Sequence, residues 1–241
     1  MTRARWRVPA LAVAVILAAA VAFAVVSRPP ASLPARPPSQ RPALLLLTSL
    51  PLMFGEQFSL KGGSPALAAL ETRYRVVPIS VTDDSDLAKG QILLMAHPLA
   101  QPPEDLVALD GWVRRGGRVM LLADPMLEWP SELPLGDPLR PPPMFMDTGL
   151  LAHWGLRLDA PDERGPAGRE LGGSSVRTLS PGALFGGCEI GHDRLVAHCA
   201  IGKGKATIVA DADLLDVQHV DQGRTRNLDA LLRELAILER G

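Results

Sequence analysis

Six polar side chains fall where short apolar runs end: Thr48 and Ser49, His97, Asp124, and Asp211 with Asp213. Carboxylates, an imidazole and hydroxyls gathered at strand ends would offer hydrogen bonds and proton transfer to a small polar ligand. The same residue types also cap helices and tie down loops. Both readings are open at the level of sequence, and capping is the simpler. Ser49, His97, Asp124, Asp211 and Asp213 are the ligand-binding candidates.

The remaining reactive residues are few. Cys188 and Cys199 are 11 positions apart. They can form a disulfide closing a small loop, which entropy models value at roughly 3 kcal/mol. Two free thiols, or a metal site in a C-x3-H-x6-C spacing with His198 adjacent to Cys199, are the alternatives. The disulfide is preferred, and no metal or other cofactor is expected. His153 beside Trp154 reads as packed at the end of a short helix. His219, among Asp216 and Asp221, reads as a solvated loop. The run Gly202-Lys203-Gly204 lacks phosphate-loop spacing and sits in a hairpin turn. Arg114 and Arg115 suit the negative end of a helix dipole.

The chain has 241 residues, 47% hydrophobic and 21% charged, with a formal net charge of −1. That balance argues against a nucleic-acid partner, which would select a basic field. Aromatic content is only 4%, so the core must be aliphatic. Residues 8–26 are apolar, and as a helix they would span about 28 Å, close to a hydrocarbon core. Arg3, Arg5 and Arg7 precede them and favour a cytoplasmic N-terminus. A cleaved signal peptide is the rival reading. Six of the 16 residues in 27–42 are Pro, as in a stiff extended spacer. The expected organisation is a tail and transmembrane anchor at 1–27, a Pro-rich linker at 28–42 and an extracytoplasmic α/β domain at 43–241.

Within the body, residues 43–49, 91–96 and 118–123 are continuous apolar runs, the pattern of strands covered on both faces. Residues 75–81 form a further strand, and Pro78 suggests an edge. Helical periodicity appears over 64–74, with Ser64 as N-cap, and over 103–115, with Gly116-Gly117 as the stop. A short helix is expected near 147–154. Residues 160–187 carry ten Gly or Pro and read as a surface excursion. A hairpin follows at 194–210. The last helix, 227–240, buries Leu228, Leu231, Leu232, Leu235 and Leu238. Strands alternating with helices imply a mainly parallel, helix-covered sheet.

Two blocks carry a resemblance. LDGWVRRGGRVMLLADP at 109–125 is similar to the helix–GG–strand–DP segment of the auxiliary component of ABC-type transport systems, the gliding-motility (GldG-like) family. GKGKATIVADADLL at 202–215, followed by NLDALL at 227–232, resembles that family's closing strand and helix. The resemblance implies a flavodoxin-like, class I glutamine amidotransferase-like fold: a mainly parallel sheet with helices on both faces, here preceded by one transmembrane helix. Enzymes of that fold need a Cys nucleophile on a strand-to-helix turn. The matching turn here reads His97-Pro98-Leu99, with no Cys and no nucleophile elbow. The implied function is therefore that of a non-catalytic accessory subunit. It would sit in the inner membrane with its domain in the periplasm, docking to a permease and an ATPase or sensing a ligand. The alternative is an extracytoplasmic hydrolase or small-ligand-binding protein using the strand-end Asp residues.

Overall fold

The computed structural model describes residues 31–53, 63–222 and 224–240. Among them no helix is long and apolar enough to cross a membrane. The expected anchor at residues 8–26 lies outside the described residues. The chain divides into two units, and everything below concerns the second, Leu33–Gly241.

Its centre is a seven-stranded sheet. β1 (Ala43–Thr48), β2 (Arg75–Pro78), β3 (Ile92–Ala96) and β4 (Arg118–Leu122) come first. Outside this sheet lie β5 (Leu156–Asp159), β6 (Pro166–Leu171), β7 (Ser174–Leu179) and β8 (Ala183–Gly186). β9 (Glu189–Ile190), β10 (Val196–Ile201) and β11 (Gly204–Val209) then return to it. The order is β2-β1-β3-β4-β11-β10-β9. The first five strands are parallel, in a register that places Leu45, Leu93, Val119 and Ala206 side by side. β10 runs antiparallel to β11, and β9 antiparallel to β10.

The consecutive leucines of β1 explain why both faces need cover. Alternate residues of a strand point to opposite sides. Leu44 and Leu46 join one core cluster, while Leu45 and Leu47 join the other. The first cluster is closed by α1 (Pro65–Glu71) and by a long terminal helix over Arg226–Arg240, whose five leucines are all buried. The second is closed by α2 (Asp84–Leu87), α3 (Pro103–Arg114) and α4 (Leu150–His153). The terminal helix is α5. Ser64 caps α1 by accepting from Leu67 N–H at 3.1 Å.

Residues 160–187 are not the loose excursion expected from their Gly and Pro content. β5 pairs with β8, and β6 with β7, both antiparallel. The β6–β7 hairpin puts Leu171 and Val176 into the first cluster. Arg233 of α5 grips its turn, donating to Gly172 O at 3.1 Å and Ser174 Oγ at 2.6 Å. Part of the Pro-rich stretch is also packed down: Arg36 pairs with Glu239 at 2.9 Å.

Cys188 and Cys199 form a disulfide with Cα atoms 4.9 Å apart, linking the start of the β9 segment to β10. On the other side of β10, His198 Nε2 lies 2.6 Å from Glu234 of α5, which also accepts from Gly172 N–H at 3.2 Å. Glu234 is buried and bridges sheet, helix and hairpin.

Two tests follow. β11 begins against the end of α3, and a Cβ on Gly204 would lie 2.1 Å from Val113 O and 2.3 Å from Gly117 O. Backbone cannot yield as a side chain can, so Gly204→Ala should cost roughly 1–3 kcal/mol in urea denaturation. Gly187→Ala, which meets nothing within 4 Å, should stay within about 0.5 kcal/mol. The hydrogen bond to Glu234 raises the His198 pKa above 6.5 against the opposing effect of burial. The folded state therefore holds this proton more tightly than the unfolded chain. The resulting stabilisation is full below the unfolded value and is lost as pH rises through the folded one. His198→Gln should flatten that decline when unfolding is compared at about pH 5.5 and about pH 8.5.

Candidate functional site

Because β1, β3, β4 and β11 are parallel, their carboxyl ends share one edge of the sheet. All five candidate residues lie there, in two groups beneath the segment 125–149.

The first group follows β1 and β3. These strands are neighbours although β2 separates them in sequence, which makes their junction the topological switch point where open α/β sheets usually bind ligands. Ser49 Oγ donates to His97 O, and Thr48 Oγ1 donates to Ala96 O at 2.8 Å. His97 is fully buried and has φ 47°. A non-glycine residue in this left-handed region carries strain, which concentrates at functional turns. Its Nε2 lies 2.9 Å from Pro142 O. A carbonyl can only accept, so Nε2 carries the proton. Burial lowers the ring's pKa and the Pro142 bond only partly offsets this, so the imidazole is neutral. Nδ1 is then an acceptor with no partner among the described residues.

The second group follows β4 and β11. Asp124, Asp211 and Asp213 are 0%, 0% and 1% exposed. Asp124 Oδ1 accepts from Met126 N–H at 2.8 Å. Its Oδ2 accepts from Ala212 N–H at 2.8 Å and Asp213 N–H at 3.4 Å. Asp211 Oδ1 accepts from Leu214 N–H at 2.7 Å, and Asp213 Oδ2 from Glu128 N–H at 2.8 Å. Among the described residues Asp213 Oδ1 has no hydrogen-bond partner. Asp211 Oδ2 has none at full hydrogen-bond geometry, although the Leu179 backbone N–H also bears on the Asp211 carboxyl. Capping thus explains one oxygen of Asp211, one of Asp213 and both of Asp124. The open Asp213 oxygen and the weakly engaged Asp211 oxygen are where a hydroxyl could donate to or accept from these acids.

Glu128 and Ser180 belong to this group and were not identified from sequence. Ser180, at φ 44°, donates to the Glu128 carboxylate and accepts from Gly165 N–H at 2.9 Å. The one sequence signal for Glu128 was its place in a long irregular segment. No local pattern marked Ser180. That segment forms the roof: Pro142 covers His97, and Phe145 N–H donates to Asp124 O at 2.6 Å.

The electrostatic consequence is a raised proton affinity at all three acids, largest at Asp211 and Asp213. Burial, outweighing three backbone N–H bonds, pushes Asp124 up to about 6. Burial and the Asp124 charge push Asp213 up to about 8. Asp211 lies well above the normal range for burial and for the charges of both neighbours. Among the described residues no group of three or more His, Cys, Asp or Glu has an arrangement suited to a metal ion.

No family model matches this chain, and no curated protein matches it. Solved structures do. Cytoplasmic protein STM3548 from Salmonella typhimurium is 11% identical with TM-score 0.51, over 82% of this chain and 98% of that one. The exo-β-1,4-mannosidase Op5Man5 from Opitutaceae bacterium strain TAV5 is 12% identical with TM-score 0.50, over 81% of this chain and 36% of that one. A putative ThuA-like protein from Parabacteroides merdae is 13% identical with TM-score 0.42, over 82% and 90%. This chain spans about a third of the mannosidase, and likewise of a matching Bacillus circulans β-galactosidase (31%). At these identities the likeness is one of fold.

These findings correct the resemblance drawn from residues 109–125 and 202–232. The structures matched at a TM-score of 0.50 or better are a mannosidase and STM3548, not components of ABC-type transport or gliding motility. The accessory-subunit function is withdrawn with it. So is the placement as a single-pass inner-membrane protein with a periplasmic domain: no helix among the described residues is long and apolar enough to cross a membrane.

The carboxyl group provides a direct test. An acid whose folded pKa is raised stabilises the fold fully below its unfolded value, near 3.8, and loses that contribution as pH rises through the folded value. Asp213→Asn keeps an oxygen for Glu128 N–H and cannot ionise. It should raise the melting temperature at about pH 9 and leave it nearly unchanged at about pH 4.5, as read by circular dichroism.

Proposed function

We propose that this chain is a small-ligand-binding protein built on a flavodoxin-like, class I glutamine amidotransferase-like domain, and that it lacks that fold's thiol catalysis. The ligand sits at the carboxyl ends of β1, β3, β4 and β11, beneath the 125–149 roof. The observation that carries this reading is His97. It is a strained, buried residue with an unpartnered Nδ1, on the turn after β3 at the switch point of the sheet. Strain there must be held by the surroundings, and Ser49 and Pro142 hold it.

The non-catalytic part rests on the same turn. A His stands where a nucleophilic Cys would be needed, and both cysteines are bonded to each other at β9 and β10. The ligand chemistry follows from the open positions, an imidazole nitrogen and two protonatable carboxyl oxygens. A neutral ligand bearing several hydroxyls can both donate and accept there, whereas an anion would face a cluster of acids. Because every candidate side chain except Ser49 is buried, entry requires the roof to lift.

A thermal-shift screen of monosaccharides and small polyols tests the proposal. At least one should raise the melting temperature of the wild-type chain. The shift should be lost in Asp211→Asn, which keeps its bond to Leu214 N–H, and in His97→Asn, since Asn tolerates a left-handed φ. An equal shift in both variants, or no shift with any member of the panel, would count against the site.

A further inference from the structure

A second group of polar residues lies away from the strand ends, between the β6–β7 hairpin and the 216–222 turn. It encloses a cavity of about 510 Å³ lined by Pro166, Gly168, Ser175, Arg177, His219 and Gln222 among others. We propose that this cavity is a separate binding site for a small hydroxycarboxylate. Arg177 would take the carboxylate and His219 the hydroxyl.

Arg177 is held by its backbone and free at its head. Asn227, fully buried at the start of α5, accepts from Arg177 N–H at 3.0 Å and donates to Arg177 O at 2.8 Å. This double bond to one amide fixes where the side chain leaves β7. The Arg177 side chain is 54% exposed, and its approach to Asp221 is 3.9 Å, beyond hydrogen-bond length. Asp221 is buried, so it holds the positive charge at the cavity wall without using up its N–H groups. A planar guanidinium with vacant donors matches a carboxylate in a two-point fork.

His219 is oriented in a complementary way. Asp216 Oδ2 lies 2.5 Å from Nδ1, and the Asp216 backbone carbonyl accepts from His219 N–H at 3.2 Å. With Nδ1 directed at the Asp216 carboxyl, Nε2 is the ring nitrogen left for a ligand. A hydroxyl serves it as donor or as acceptor. Gln222, at φ 53°, closes the turn in a left-handed conformation that costs energy unless its surroundings require it. The volume falls within the range of small-molecule pockets. Arg177 and the His219–Asp216 pair border one cavity, so a single small molecule can engage both.

The test is an NMR titration of the full chain with glycolate at constant pH, following the His219 ring signals assigned through His219→Gln. Acetate, which lacks the hydroxyl, and ethylene glycol, which lacks the carboxylate, are the comparison ligands. Glycolate should shift the ring signals saturably, and each comparison ligand should bind at least ~10-fold more weakly. Arg177→Gln should weaken glycolate by ~10-fold or more, and Arg177→Lys should restore only part, because a point charge lacks the fork. Asp211→Asn should leave this titration unchanged, so failure at the strand ends and failure here are distinguishable. Absence of a saturable shift with glycolate overturns the proposal. So does an undiminished response in Arg177→Gln when the hairpin signals show the variant folded.

Discussion

The Asp124 carboxylate, taken out of water, is shared among three backbone N–H groups at the ends of two neighbouring strands. Without it, the turns leaving β4 and β11 would each bury amide donors with nothing to receive them, a penalty of about 1–3 kcal/mol per group. An amide side chain would have one acceptor oxygen where this geometry uses two. From this carboxylate a line of bonds runs through Asp213 to Glu128, then to Ser180 and Gly165, tying the roof segment to the entry of the β6–β7 hairpin. The arrangement concentrates acids in a dry place. Asp211 and Asp213 stay there by keeping protons beside the Asp124 carboxylate, which makes protonation a structural component of the sheet's carboxyl edge.

Much of this was legible in the sequence where local patterns have one structural meaning. Four consecutive leucines in β1 demanded cover on both sides, and both sides are covered. The five-leucine stripe of α5, the Ser64 cap and the edge position of the strand containing Pro78 follow from spacing and stereochemistry alone. Asp124, Asp211 and Asp213 could be placed at strand ends because apolar runs stop there. What could not be read was which oxygens would be left over, since that depends on pairings 88 positions apart.

The hairpin at 166–179 shows another limit. Its strands hold few apolar residues, and Arg233 and Asn227 on a distant helix anchor it through polar bonds. No periodicity announces such anchoring. The mistaken kinship has a physical origin of the same kind. Gly116 at φ 119° ends α3, Gly117 lies under the Trp112 ring, and Asp124 collects the amides beyond β4. Any helix that stops abruptly and feeds a buried parallel strand meets these demands. The helix–GG–strand–DP pattern is therefore a solution to a turn problem, and unrelated chains can share it.

The two margins of the central sheet also differ from its interior in what they allow a neighbouring molecule to do. On one side β2 is four residues long and ends in Pro78, which has no amide hydrogen to offer an incoming strand. On the other, β9 is two residues long, and the disulfide fastens its approach to β10. A sheet this apolar would otherwise invite copies of itself to add on by strand-to-strand stacking. Short, stapled and proline-ended borders give the growing polymer nowhere to start, so the clip at Cys188 and Cys199 acts on the society of molecules as well as on the single chain.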